Sequence, residues 1–297
     1  MSDIYFGLAV MALLSCGLFS AVVRLSRGLP DRTCDLAALL TIAGIAVYIR
    51  YLWDSAALAH LLPFSNLIVV GNWFLPATAI LAGLAWRRIP GHVARKSLSV
   101  GALLGTGVYA VALPLGGEPP QCQNRWVDGI CLQTSNRTCS AASAATLLRT
   151  YGISTTEQEM ADLCLTRQGT TWQGLYHGLK LKTIGTQWDV EVFEGDVGTL
   201  HTKADRPVIL TVGITKDAHV SSRYTQESGW REGRMHSVLL FAFRRDRRAI
   251  IGDPSVASGK EFWHPDELEL LWRGRGLRLV PRKRHAPFAA PVTQVLA

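Results

Sequence analysis

Apolar residues are concentrated before about residue 117 of this chain, and most charged residues fall after it. Four nearly uncharged stretches stand out in the first part, at 4–23, 36–53, 67–86 and 98–115. Each approaches the roughly 20 apolar residues that a helix needs to cross a bilayer. The first has no charge until Arg24, and the second is interrupted only by Arg50, whose stem is long enough to snorkel to the interface. A signal peptide would account for the first stretch alone, but Met1-Ser-Asp-Ile4 has no basic lead and three more stretches follow. The pattern therefore predicts a membrane domain over 1–117 with four transmembrane helices in contact with the lipid bilayer. Gly101, Gly105 and Gly107 in the fourth stretch read as points of close helix packing.

Orientation follows from the short loops. Arg24, Arg27 and Arg32 follow the first stretch, and Arg87, Arg88, Arg95 and Lys96 follow the third. The loop 54–66 between the second and third stretches contains no Lys or Arg. Both basic loops are thus expected in the cytoplasm of a bacterial inner or cell membrane protein. With four spans, the remainder of the chain is then extracytoplasmic.

Beyond Gly116-Gly-Glu-Pro-Pro-Gln121 the periodicity changes to that of a soluble domain, expected over 118–282. Helical patterns come first. One opens at Cys139, runs through Ala141, Ala144, Leu147 and Leu148, and ends at Gly152, with Thr138 or Asn136 as N-cap. A capping-box pattern at Ser154 to Glu159 leads into a helix through Leu163, and Gly169-Thr-Thr171 breaks the chain before a third helix at 172–181. Strand patterns follow at 188–193, 207–212, 237–243, 249–251 and 277–280, with a late helix at 265–271. Helices followed by strands predict an α+β domain, its helices packed on a mostly antiparallel sheet. The chain closes on a basic, Pro-containing tail at 283–297.

The net charge of +8 invites a nucleic-acid reading, but no recognition motif or interleaving of aromatic and basic residues supports it. No acidic residue or histidine lies deep in an apolar stretch, which argues against a proton relay or an intramembrane protease. No Cys/His cluster has metal-ligand spacing, and nothing calls for a cofactor. What remains is Cys139. A thiol at a helix N-terminus lies in the positive end of the helix dipole, which favours thiolate. His236 stands at the mouth of one strand and Asp253 at the exit of the next, so antiparallel pairing would bring them to the same end of the sheet. Gln133, one loop before Cys139, has an amide able to donate to an oxyanion. Of the other cysteines, Cys16 falls in the first span, Cys34 in a basic loop, and Cys164 in a helical pattern that reads as core. Cys122 and Cys131 are candidates for a disulfide if the domain is extracytoplasmic.

Four passages together resemble the papain-like double-glycine peptidases, the bacteriocin-processing cysteine peptidase family. They are Gln133 six residues before Cys139 with the small-residue helix to Gly152, Gly169-Thr-Thr-Trp-Gln-Gly-Leu175, Pro207-Val-Ile-Leu with His236-Ser-Val-Leu-Leu240, and Ile251-Gly-Asp-Pro254. The resemblance covers about 122–280. It implies Cys139 as nucleophile, His236 as general base and acid, Asp253 as the carboxylate orienting His236, and Gln133 as oxyanion donor beside the Cys139 amide. It also implies a peptide or protein substrate and no cofactor. Two features depart from the family: glycine usually follows the cysteine, where this chain has Ser140, and exporter-linked members work on the cytoplasmic side. The leading expectation is a membrane-anchored cysteine peptidase acting on a secreted or membrane-associated protein. The alternative is a catalytically silent peptidase-like module that binds peptides for a secretion or assembly system.

Overall fold

The computed structural model describes residues 2–216, 218 and 220–282. The expected tail 283–297 lies outside the described residues. The first half is helical: α1 (Ser2–Leu25), α2 (Asp31–Tyr51), the short α3 (Ala57–Leu61) and α4 (Leu67–Val70), α5 (Phe74–Arg88) and α6 (Val93–Ala112). Three segments, Ser2–Gly28, Asp31–Tyr51 and Leu67–Arg88, are long and apolar enough to cross a membrane. The fourth expected span falls on α6, whose first turn carries the charges of Arg95 and Lys96.

α5 is largely buried in the bundle, whereas the apolar stretch of α2 is almost wholly uncovered. Leu36, Leu39, Leu40, Ile42, Val47 and Ile49 of α2 point outward, a surface suited to lipid rather than water. Glycines permit the close approaches: a Cβ on Gly107 would come within 2.2 Å of Thr78 Oγ1, and one on Gly83 within 2.9 Å of Val22. Gly101 and Gly105, expected to pack in the same way as Gly107, instead meet no neighbour within 4 Å. They share a face four residues apart, and the two-residue step to Gly107 turns the helix about 200° to the packed side.

The ends of the bundle alternate. At one end Arg88 pairs with Asp35 (2.8 Å) and Asp31 (3.4 Å), joining the two basic loops. At the other, Ser65 donates to Asp3 Oδ2 (2.8 Å) and Asn66 to the Asp3 carbonyl (3.0 Å). The second domain docks against this second end. His177 Nε2 lies 3.0 Å from Asp3 Oδ2, Trp172 Nε1 donates to Asp54 Oδ1 (3.0 Å), and Gln173 Nε2 donates to the Trp53 carbonyl (3.0 Å).

The second domain opens with a hairpin of β1 (Trp126–Val127) and β2 (Ile130–Cys131), then α7 (Cys139–Thr150), α8 (Glu157–Leu163) and α9 (Trp172–Lys182). Next come β3 (Trp188–Glu194), α10 (Val197–Lys203), β4 (Val208–Gly213), α11 (Ser222–Gln226), β5 (Met235–Phe243), β6 (Ala249–Gly252), β7 (Lys260–Trp263), α12 (Pro265–Leu271) and β8 (Trp272–Pro281). The six long-sheet strands run in the order β3-β8-β4-β5-β6-β7, every neighbour antiparallel. This is the α+β architecture read from the sequence. Alternation along the strands builds two cores. Ile209, Leu239 and Leu277 face α7 and α9 with Ala141, Leu147, Leu148 and Leu179, while Val208, Leu210, Val212, Val238 and Leu240 face Tyr224, Trp230 and Trp263.

Candidate active site

Cys139 is the first residue of α7 and is buried. Thr138 occupies the N-cap position, as one of the two expected choices, but its hydroxyl does not cap: it donates to the Ser135 carbonyl (3.0 Å). The N–H groups of the first turn therefore have no side-chain cap, and the positive end of the helix faces Cys139 undiminished. Gly152, with φ of +72°, follows the C-cap as the sequence suggested.

His236 is the second residue of β5, and Asp253 follows directly on β6. Leu239 pairs with Gly252 in the antiparallel ladder, so the start of one strand and the exit of the other share an end of the sheet. There His236 Nε2 lies 2.8 Å from Asp253 Oδ1. The remaining ring nitrogen, Nδ1, is left for the Cys139 thiol. Burial opposes charge on both sulfur and ring, yet the partners prevail. The hydrogen bond and positive charge of His236, with the Ser237 backbone and the Ser140 side chain, hold Cys139 below the ordinary thiol value. Against the burial penalty, the carboxylate of Asp253 and the thiolate raise His236 to about 10. Asp253 is fully buried, and despite that burial the His236 charge and the Ser255 donors hold it below the usual carboxylate range. All three shifts act in one sense, toward thiolate, imidazolium and carboxylate in a row.

Gln133 joins this group through its backbone, which donates to the Pro254 carbonyl (2.9 Å) and so ties the loop before α7 to the turn holding Asp253. Its side chain lines the same cleft as Cys139 and His236, and the amide oxygen is buried without a hydrogen-bond partner. The cleft has a volume of about 1020 Å³ and is walled partly by Trp53 and Asp54 of the N-terminal helical region. The structure thus brings Cys139, His236, Asp253 and Gln133 to one place.

Ser140, the departure at the residue after the cysteine, is also accounted for sterically. Its Oγ lies 2.8 Å from Ser237 Oγ, and one turn later Ser143 donates to the Ser237 carbonyl (2.9 Å). Two serines on one face of α7 thereby fix the helix against the residue next to His236. Three further residues were not singled out from sequence. Ser255 donates from both N (2.8 Å) and Oγ (2.7 Å) to Asp253 Oδ1, a short Asx-type turn. Trp230 covers His236, ring centroids 4.6 Å apart, and donates to Ser255 Oγ (3.1 Å). Glu157, read only as part of a cap, instead reaches Thr134 N and Oγ1 (both 2.7 Å) and braces the Gln133 loop. The Asp-Pro-Ser run was a legible signal for Ser255; nothing local marked Trp230 or Glu157.

Cys122 and Cys131 are free thiols in the structure, and burial with the nearby Glu157 pushes each up to about 12. Cys164 is also free and buried, as its core reading implied. Among the described residues, no group of three or more His, Cys, Asp or Glu side chains is arranged to hold a metal ion.

Among curated proteins, none matches this chain. Solved structures similar to it include the peptidase domain of Streptococcus ComA, described as a bi-functional ABC transporter involved in quorum sensing. That domain is 20% identical with a TM-score of 0.40, over 51% of this chain and 96% of that one. A double glycine motif protease from an AMS/PCAT transporter, solved with the leader peptide, is 18% identical with a TM-score of 0.39, over 52% and 91% of the two chains. The N-terminal peptidase C39 like domain of a toxin secretion ATP-binding protein from Vibrio parahaemolyticus is 9% identical with a TM-score of 0.36, over 50% and 100%. The sequence model of the Peptidase_C39 like family matches residues 119–275, from the linker after the N-terminal helices into the last strand. By that match, spanning more than half of its length, the chain belongs to the Peptidase_C39 like family.

Proposed function

We propose that this chain is a membrane-anchored cysteine peptidase that hydrolyses peptide bonds in a secreted or membrane-associated protein. The observation that carries the reading is the row Cys139, His236, Asp253. The 2.8 Å bond from His236 to Asp253 leaves the other ring nitrogen for a thiol already held below its ordinary pKa. In this mechanism the Cys139 thiolate attacks the scissile carbonyl. The oxyanion is received by the Cys139 N–H and the Gln133 amide, and His236 protonates the leaving amine. His236 then accepts a proton from water as the water hydrolyses the thioester, restoring the free thiolate pair.

Location is part of the proposal. The basic loops meet at one end of the bundle, through Arg88 and Asp31, while the second domain docks at the end holding Asp3 and Asp54. With α6 crossing as the fourth helix and the basic loops in the cytoplasm, the peptidase domain is extracytoplasmic. Cys122 and Cys131 then lie where a dithiol oxidase can join them. A reporter fused after the last residue tests this: a cytoplasmic signal there overturns the orientation.

Iodoacetamide is expected to label Cys139 in preference to the other five cysteines at neutral pH, and His236→Ala to suppress that labelling. Unchanged Cys139 reactivity in His236→Ala would refute the catalytic assignment. A cellular phenotype that survives Cys139→Ala would favour the silent peptide-binding module.

A further inference from the structure

The cleft in front of Cys139 is strongly basic. Arg231 and Arg234 lie on the loop that leads into His236, and Arg273, at the start of β8, lines the same cleft. The Arg273 Nη2 donates to the Gly213 carbonyl (2.5 Å), and Gly213 is the ladder partner of Met235. This sets the Arg273 guanidinium beside the Arg234–Met235 segment. Arg137, two residues before Cys139, also lines the cleft. The one acidic side chain among the cleft-lining residues is Asp54, already engaged by Arg275 at 3.1 Å.

These arginines differ from sheltered bases elsewhere in the domain. Arg223 pairs with Glu267, Arg278 with Glu191, Lys180 with Asp189 and Lys203 with Glu191, all between 2.6 and 2.9 Å. Arg273 is as sheltered as these, but its guanidinium meets only carbonyl oxygens, those of Gly213, Leu270 and Trp272. Among the described residues no carboxylate pairs with Arg137, Arg231, Arg234 or Arg273. Carbonyl dipoles hold Arg273 in place without neutralising it, so its charge remains available to a ligand. Unpaired like charges crowded in a cleft with low-dielectric walls focus a positive potential where a substrate backbone must lie.

We propose that this cleft selects polypeptide segments carrying acidic side chains next to the scissile bond, gripped by Arg231, Arg234 and Arg273, with Arg137 near Cys139. The inference rests on the reading of Cys139 as a peptidase nucleophile. The negative charge of an Asp or Glu side chain supplies the carboxylate partner that the domain itself provides to Arg223, Arg278, Lys180 and Lys203 but not to these arginines. A basic segment meets repulsion at the same places.

The test uses the full chain in neutral-lipid nanodiscs and three electrophilic peptides, identical except for Glu, Gln or Lys on either side of the electrophilic residue. The Glu probe is expected to label Cys139 faster than the Lys probe by roughly tenfold or more at low ionic strength, the gap narrowing as salt is added. Replacing Arg231→Glu together with Arg234→Glu, both exposed, should reverse the order, and the Gln pair should flatten it. Equal rates for the three probes, with iodoacetamide still labelling Cys139, overturn the inference and leave the peptidase reading standing. Failure of iodoacetamide to label Cys139 selectively overturns the peptidase reading and the inference with it. Loss of the preference on adding anionic vesicles, but not neutral ones, would show that the arginines read lipid headgroups and would likewise overturn it.

Discussion

Cys139 and Cys164 are both buried cysteines, and their thiols are driven in opposite directions. Cys139 begins α7, beneath the His236 ring and beside the Ser237 backbone. Cys164 ends α8, where the backbone of Gly178 is the sole neighbour favouring its charge. Burial penalises thiolate at both. At Cys164 nothing of weight opposes it and the thiol is driven far up; at Cys139 the imidazolium outweighs it. The helix ends act in the same sense, since the N-terminus favours negative charge and the C-terminus disfavours it. Burial alone leaves a cysteine as the neutral thiol; burial against a cation favours the thiolate, the form that can act as a nucleophile.

The largest break in that contrast comes from removing its cause. Cys139→Ala is expected to abolish peptide hydrolysis, and His236→Ala to lower it by roughly a million-fold, because nucleophile and base act as one unit. In His236→Ala, Cys139 should come to resemble Cys164. With burial retained and the cation gone, its pKa rises above the ordinary value, so iodoacetamide labelling at pH 7 fails and returns only in alkali. A rate-against-pH profile by mass spectrometry of the two thiol peptides checks this directly.

Asp253→Asn sharpens the comparison by a smaller step. In the wild type the productive pair exists between the lowered Cys139 pKa and the His236 value of about 10. Below that window the thiolate gains a proton; above it the imidazolium loses the one needed by the leaving amine. Removing the carboxylate lets the His236 pKa fall and, with less positive charge nearby, the Cys139 pKa rise. Both limbs move inward, and the profile of kcat/KM should narrow from both sides. An unchanged alkaline limb would mean that Asp253 does not hold the imidazolium.

Part of this contrast was legible in the sequence and part was not. Cys139 could be placed because Gly152 marks the end of its helix and the small residues mark a buried face. His236 and Asp253 could be joined because each borders an apolar strand run, and a strand mouth meets its neighbour's exit in any antiparallel pair. The α+β order and the five main strands followed from periodicity. β7 did not, since Lys260-Glu-Phe-Trp263 is too short and too charged to show alternation. Trp230 and Glu157 did not either, because their value lies in contacts with residues 6 and 23 positions away, set by the fold alone. The glycines of α6 show the limit from the other side: three small residues look alike in sequence, and helical phase decides that only Gly107 is packed.

Cys164 supplies the stability side of the comparison. A Cβ on Gly178 would lie 2.4 Å from the Cys164 sulfur and 3.0 Å from its backbone nitrogen. Gly178→Ala should therefore destabilise the domain by about 1–3 kcal/mol despite the better helix propensity of alanine. Cys164→Ala in the same chain removes the nearer clash and should restore part of the loss. Thermal unfolding of the purified protein with the two single variants and the double variant measures the coupling, and strict additivity would show that the two residues do not meet.

The smallest expected effect concerns Ser140, and it separates packing from electrostatics at Cys139. Ser140→Ala removes the partner of the buried Ser237 hydroxyl and one group that favours the thiolate. A hydrogen bond of this kind is worth roughly 0.5–1.5 kcal/mol, so kcat/KM should fall only about two- to tenfold. If the serine acts through the thiolate, the acid limb of Cys139 labelling moves to higher pH in Ser140→Ala. If it only fastens α7 to β5, the limb stays where it is and the loss appears as lower stability, which Ser237→Ala in the same chain should relieve by removing the orphaned hydroxyl. Ser140→Gly, which restores the residue usual in double-glycine peptidases, discriminates further. It removes the hydroxyl without adding bulk beside Cys139, so activity equal to wild type would mean that the hydroxyl is dispensable and that His236, with the Ser237 backbone and the helix end, accounts for the difference between Cys139 and Cys164.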